Sequence, residues 1–240
     1  MAIDEWLLDQ HRQSAMPSVL RFYTWNPPAI SLGYHQTQWP NHWNQLTWQN
    51  KSIDVVKRPT GGRAVLHAGD LTYAIITSGL QGRRMQVYQT LCQFLIDGWR
   101  SLSTPLYYGH KTRNYHHNPN CFETATVADL VTESGVKFIG SAQLRRQGAI
   151  LQHGSMQLQP DPELYQQVFG LSSPNPSTPS PNHTSIRQDI PQIMDALTQA
   201  AQANFNMELC VQPISEHEWA AIADYHDRYR LQPRCLIQGD

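Results

Sequence analysis

The sequence predicts an α+β protein in which mixed and antiparallel β-sheets pack with helices. Three observations carry that expectation. First, residues 127–158 hold three strand-like runs, VADLV, VKFIGSAQL and AILQHGSMQL, parted only by the turn-like TESG and RRQG. That arrangement predicts an antiparallel meander. Second, residues 83–103 and 190–205 repeat apolar side chains at i, i+3 and i+4, the stripe of a helix lying on a core. Third, strands and helices come in runs, which disfavours an alternating βαβ fold.

The elements follow in order. Residues 2–14 predict a helix with Ile3, Trp6 and Leu7 on one stripe. SVLRFYTW (18–25) and AISLGYHQ (29–36) read as strands about a Pro27-Pro28 turn, and SIDVVKRP (52–59) as a third that Pro59 ends. RAVLHAGDLTYAIIT (63–77) supplies one or two more. The helix over 83–103 shows Val87, Leu91, Phe94, Leu95 and Leu102 to the core. On the middle strand of the meander, alternation places Lys137, Ile139, Ser141 and Gln143 on one face. LSSPNPSTPSPNHTS (171–185) has too few large apolar groups to pack and predicts a loop. The helix over 190–205 shows Ile190, Ile193, Met194, Leu197 and Ala201 on one side, MELCVQPI (207–214) reads as a late strand, and Ser215 with Glu218 forms a capping box opening a last helix.

Composition bounds the function. The chain has 240 residues, 40% of them hydrophobic, enough for one large domain or two small ones. A formal net charge of -1 offers no general attraction to nucleic acid or to an anionic membrane. No apolar run is long enough to span a bilayer, and MAIDEWLL is acidic where a signal peptide is basic, so a cytoplasmic location is expected. Cys92, Cys121, Cys210 and Cys235 form no CxxC pair, which argues against a disulfide framework or a zinc knuckle and predicts mostly buried spectators.

Three stretches hold candidate chemistry. In KRPTGGRAVLH (57–67), Gly61 and Gly62 permit positive φ and close approach of backbone to a ligand, although a tight turn with solvated arginines reads equally well. It is neither a Walker loop nor a dinucleotide fingerprint. Cys121 lies in a polar loop, HKTRNYHHNPNCFE, which is an unusual place for a spectator; a thiol without a role is the plainer reading. Lys137 weighs against that reading, because a nearby ammonium favours thiolate. With a free pKa of about 8.5, roughly 3% of a thiol is ionised at pH 7. An ammonium about 4 Å away is worth up to about 4 kcal/mol at an effective dielectric near 20. About 2 kcal/mol of that lowers the pKa by roughly 1.5 and brings ionisation to about one half. One lysine therefore suffices, provided the fold brings the two together. His116-His117 lacks metal-ligand spacing. His153 reads either as a general base or as a hydrogen-bonded polar residue.

Taken together, KRPTGGRAVLHAGDLTYAI, NPNCFE and VKFIGSAQLRRQGAILQHGSMQL resemble the lipoate/biotin protein ligase superfamily, and within it the protein octanoyltransferases that use an acyl-carrier-protein thioester. The likeness covers roughly residues 1–160. It implies a lipoate/biotin protein ligase-like catalytic domain spanning 1–240, with the loop at 171–185 inside it. It implies that Cys121 takes the acyl group as a thioester and that Lys137 lowers its pKa. It also implies that Arg58, Thr60, Gly61, Gly62, Arg63 and His67 shape the acyl pocket, with Gly140, Ser141, Ala142 and Gln143 facing it and His153 beside them.

The reaction implied is transfer of octanoate from octanoyl-acyl carrier protein to a lysine of a lipoyl domain or of glycine-cleavage H protein, in lipoate biosynthesis, with no cofactor or metal. Arg83, Arg84, Arg145 and Arg146 are candidates to dock the acidic carrier, although each alone reads as a solvated charge. The sequence departs from the family pattern in three places. Ala68 stands where an aspartate is frequent, with Asp70 two residues on; Lys57 replaces the first arginine of a usual pair; and Met1 falls inside a motif that a strand normally precedes, so the natural start is expected upstream, or an edge strand is missing. An ATP-dependent lipoate ligase on the same fold is the rival enzyme. Cys121, Arg63 in place of a third glycine, and the little chain left after residue 190 for an accessory domain all count against it. A non-catalytic acyl or lipoyl-domain binder is the alternative outside enzymes.

Overall fold

A computed structural model describes residues 1–109, 128–170, 189–226, 228 and 229. The chain opens with helix α1 (Ala2–Arg12), then strands β1 (Val19–Tyr23) and β2 (Ala29–Leu32), a short 3-10 turn (Asn41–Gln45), the hairpin β3 (Thr47–Trp48) and β4 (Lys51–Ser52), and β5 (Asp54–Lys57). Strands β6 (Val65–His67) and β7 (Asp70–Ser78) lead to helix α2 (Arg84–Ser101), β8 (Tyr107–Tyr108) and β9 (Leu130–Val131). The hairpin β10 (Lys137–Arg146) and β11 (Ala149–Gln157) precedes α3 (Pro162–Phe169), α4 (Ile190–Phe205) and α5 (Glu216–His226).

The strands form a six-stranded antiparallel sheet in the order β1-β7-β11-β10-β9-β8, and a three-stranded sheet, β5-β2-β6, in which β2 runs parallel to β5 and antiparallel to β6. The large sheet is covered on both faces, so its central strands are apolar in both directions. Leu71, Tyr73 and Ile75 of β7 and Ile150 and Met156 of β11 pack with Phe94, Leu95 and Trp99 of α2 and Leu197 of α4. Ala74, Ile76, Ala149 and Leu151, one residue out of phase, meet Trp6, Leu7 and Leu8 of α1 and Ile222 of α5. Helix α3 closes the small sheet through Leu164, Tyr165 and Val168, which pack with Ile30, Leu32 and Trp43.

The predicted meander is present, with β10 between β9 and β11. VADLV contributes only Leu130 and Val131, and the register shifts between Lys137 and Ile139, so simple alternation does not extend to the lysine. Residues 63–77 give two strands. One expectation is corrected. Residues 207–214 form no strand: among the described residues no strand pairs with them, and although Leu209 and Ile214 pack against the core, Val211 is 99% exposed. The segment 162–169, to which the sequence reading assigns no element, is a helix capped by the Asp161 carboxylate, which accepts from the Glu163 and Leu164 amides, and ended by left-handed Gly170. The expected loop at 171–185 and the polar segment 110–123 lie outside the described residues. Among the described residues no helix is long and apolar enough to cross a membrane.

Candidate functional site

The polar hairpin and the glycine loop meet at a cavity of about 290 Å³. Of the predicted site residues, Arg58, Gly61, Gly62, His67, Lys137, Gly140, Ser141, Ala142, Gln143 and His153 line it. Thr60 lines an adjoining cavity, and Arg63 lines neither. Cys121, like His116 and His117, lies outside the described residues.

The glycine loop is braced from within. Arg58 is buried, and its guanidinium donates to the carbonyls of Ser31 (2.8 Å), Gly61 (2.9 Å) and Arg63 (2.7 Å). The reading of solvated arginines flanking a turn therefore fails for Arg58: a fixed fork of donors holds the loop's own backbone. Gly62 has φ +100°, and a Cβ there would stand 2.7 Å from Arg58 Nη2, so the loop can close over the arginine only with glycine.

His67 Nε2 shares a hydrogen bond with Ser31 Oγ (2.9 Å), and its Nδ1 lies 2.8 Å from Asp70 Oδ2. Asp70 also accepts from Ser155 Oγ at 2.6 Å and Thr72 Oγ1 at 3.1 Å. It thus anchors the strand end where Ala68 offers no carboxylate. Trp25 stacks on the His67 ring, centroids 4.2 Å apart.

The hairpin's polar side chains divide into two groups. Ser141 accepts from Tyr73 Oη (2.8 Å), and Gln143 donates to Gln152 Oε1 (2.9 Å), whose own amide reaches Tyr73 and the Cys92 thiol. These residues tie the sheet to α2. Burial pushes the Cys92 thiol up to about 12, so it is the inert spectator that its composition predicted. Cys210 is exposed instead of buried. His153 shares a 2.6 Å hydrogen bond with Thr60 Oγ1 and lies 3.4 Å from Asp4. Burial lowers its pKa, more than Asp4 raises it, so the neutral imidazole is favoured. Of its two readings, the hydrogen-bonded polar residue agrees with this geometry.

Lys137 is the residue whose surroundings differ most from expectation. Its ammonium lies 2.9 Å from Asp129 Oδ1, both side chains are almost fully buried, and both residues line the cavity. Asp129 escaped sequence reasoning, as did Ser31, Tyr88 and Thr72 on the same wall. The available signal was a carboxylate set inside the apolar run VADLV, where an unpaired charge is costly. Among the described residues no cluster of three metal-ligating groups occurs.

Fold and cavity together define an α+β domain with a cavity between a glycine loop and a polar strand. The family described as "Lipoyl protein ligase A/B catalytic domain" matches residues 1–217, and the chain belongs to that family. It is similar to the octanoyltransferase LipM of Lysinibacillus sphaericus, 33% identical over 222 residues that cover 88% of this chain and 78% of that one. Against LipM of Bacillus subtilis it is 36% identical over 183 residues, 70% of this chain and 64% of that one. It spans 64–66% of the length of several further curated relatives. A lipoate protein ligase of Thermoplasma acidophilum with bound lipoic acid shares the fold, with TM-score 0.73 and 19% identity over 95% of this chain and 88% of that one.

Proposed function

We propose that the chain, acting as one catalytic domain, is an octanoyltransferase of lipoate biosynthesis. It moves octanoate from octanoyl-acyl carrier protein to a lysine of a lipoyl domain or of glycine-cleavage H protein, through a thioester on Cys121. One observation carries the reading: a buried ammonium, Lys137, on the wall of a cavity, in a chain 33–38% identical to proteins named octanoyltransferase. At about 290 Å³ the cavity sits at the small end of the roughly 300–1,000 Å³ typical of ligand pockets, suited to an acyl chain.

In the first half-reaction the Cys121 thiolate attacks the donor's thioester carbonyl. The new C–S bond forms as the donor's C–S bond breaks, and the donor leaves as a thiolate. In the second, the acceptor amine attacks the octanoyl-cysteine, a C–N bond replaces the C–S bond, and the amine's proton balances the departing Cys121 thiolate. Thioester exchange is close to isoenergetic and amide formation runs downhill, so the sequence needs no nucleotide. Lys137 stabilises the thiolate, while the Arg58-braced loop, His67 and the Gly140–Gln143 strand shape the acyl site.

The test is intact-mass analysis after incubation with octanoyl-acyl carrier protein. Wild type gains one octanoyl group, and Cys121→Ala gains none and transfers none. Full transfer by Cys121→Ala overturns the nucleophile, and pyrophosphate release dependent on ATP and lipoate overturns the transferase in favour of a ligase.

A further inference from the structure

Beside the first cavity lies a second, larger one of about 680 Å³, with which it shares Arg58, Gly61, Arg84 and Gln143. Its charges are lopsided. Lys57, Arg58, Arg84, Arg146 and Arg228 line it, against the single carboxylate of Glu5. Glu5 is already engaged, accepting from Tyr229 Oη and from Arg146 (3.0 Å), with Arg228 at 4.0 Å. Lys57 sits over the Tyr34 ring at 5.7 Å, and among the described residues neither it nor Arg84 has a recorded carboxylate partner. Five cations gathered in one concavity, offset only by Glu5 and by Asp9 at 3.5 Å from Arg146, leave net positive charge whose self-repulsion an anionic occupant relieves. The chain as a whole carries a net charge of -1, so this concentration is local.

We propose that this second, basic cavity seats the phosphate of the thiol-terminated arm that presents the acyl group, with Lys57 and Arg228 as its principal ligands and Arg84, which lines both cavities, at the passage between them. The inference rests on the transferase reading, and it narrows the expected carrier-docking arginines. Arg84 and Arg146 line this cavity, whereas Arg83 and Arg145 do not. A thioester threaded from this basic cavity past Arg84 delivers its carbonyl to the first cavity while its phosphate stays in the second. The shared chemistry is a phosphate ester on a pantetheine arm; a carrier protein and a free coenzyme are its two sources.

Two experiments test this. Calorimetric titration of the wild-type protein with 4′-phosphopantetheine and with pantetheine reads the cavity without turnover. The phosphorylated arm binds about tenfold more tightly or better, the scale of one charge-assisted hydrogen bond, and the difference shrinks as salt rises. Lys57→Ala and Arg228→Ala each reduce that preference, while Arg100→Ala, a surface control on α2, retains it. Equal binding of the two arms, or a preference untouched by Lys57→Ala and Arg228→Ala together, overturns the proposal. Steady-state transfer then compares octanoyl-acyl carrier protein, octanoyl-coenzyme A and octanoyl-pantetheine. A lower KM for both phosphorylated donors supports the phosphate site, and an advantage confined to the carrier protein overturns it in favour of protein surface contacts. Phosphate-selective binding with no turnover of any donor sinks the transferase reading and leaves the anion site standing.

Discussion

Replacing Lys137 by methionine keeps most of the side chain's volume and removes the ammonium that lies 2.9 Å from the Asp129 carboxylate. At an effective dielectric near 20, that distance corresponds to about 6 kcal/mol of attraction. Much of it offsets the cost of burying the two charges, and removing one partner of a buried pair typically costs about 3–5 kcal/mol. For a chain of this size each kcal/mol shifts Tm by about 2–4 °C, so Lys137→Met should melt about 6–20 °C below wild type. Differential scanning calorimetry at pH 7 measures this. The double variant Lys137→Met, Asp129→Asn separates lost charge from lost packing, because it removes the buried carboxylate too and should recover most of the deficit. If Lys137→Met stays within about 0.5 kcal/mol of wild type, the range of ordinary surface substitutions, the pair is not buried as described and the reasoning fails.

Three further outcomes are expected. Folding holds His153 neutral, so below its ordinary value of 6.5 the unfolded chain binds a proton that the folded one does not, and stability falls as pH drops through that point until the lower folded-state value is reached; His153→Gln should flatten this part of a urea-derived stability profile, and an unchanged slope would locate the effect elsewhere. A Cβ at Gly154 would collide with Ser141 Oγ, the Tyr73 ring and the Gly140 carbonyl, so Gly154→Ala should cost about 1–3 kcal/mol by chemical denaturation and impair acyl-enzyme formation. With its thiol pushed up to about 12, Cys92 is about one part in ten thousand thiolate at pH 8, so peptide mapping after iodoacetamide treatment of native protein should find Cys210 modified and Cys92 untouched.

Much of the site was legible because its residues are expensive elsewhere. Adjacent glycines after a proline mark a backbone that must turn sharply, and a strand bearing serine and glutamine between apolar residues marks a face that meets a polar wall. What remained hidden depends on partners far apart in sequence. Asp129 reads as an edge-strand residue until Lys137 is placed against it, and Ser31 as a strand serine until β6 brings His67 alongside. Helix α3 carried its Asp161 cap, Pro162 and Gly170, but its eight residues gave the apolar stripe little more than two turns in which to show. The false strand at 207–214 had the right alternation and, among the described residues, lacked a strand to pair with; β-propensity reflects fit to a paired surface that this segment does not meet.

On the proposed role of Lys137 beside the Cys121 sulfur, the Asp129 carboxylate would reduce the help the lysine gives, and that reduction can be measured. A bare ammonium about 4 Å from a sulfur contributes up to about 4 kcal/mol at an effective dielectric near 20. A carboxylate in line behind it, about 7 Å from that sulfur, would repel by about 2.4 kcal/mol on the same scale. The remainder of about 1.7 kcal/mol would lower a thiol's pKa by about 1.3, from about 8.5 to near 7. A sulfur so placed would therefore still be ionised to roughly one third at pH 7, while the carboxylate compensates the buried ammonium. Asp129→Asn removes the repulsion. Provided Lys137 stays protonated, Cys121 should then ionise more readily, and its rate of alkylation by iodoacetamide, followed against pH by peptide mass, should show an apparent pKa below that of wild type. Lys137→Met should move it the other way, to about 8.5 or above, because the Asp129 carboxylate then acts on the sulfur uncompensated. If neither substitution shifts the Cys121 profile, the ion pair does not act on that sulfur, and the thiolate must draw its stability from other groups or the nucleophile must be sought elsewhere.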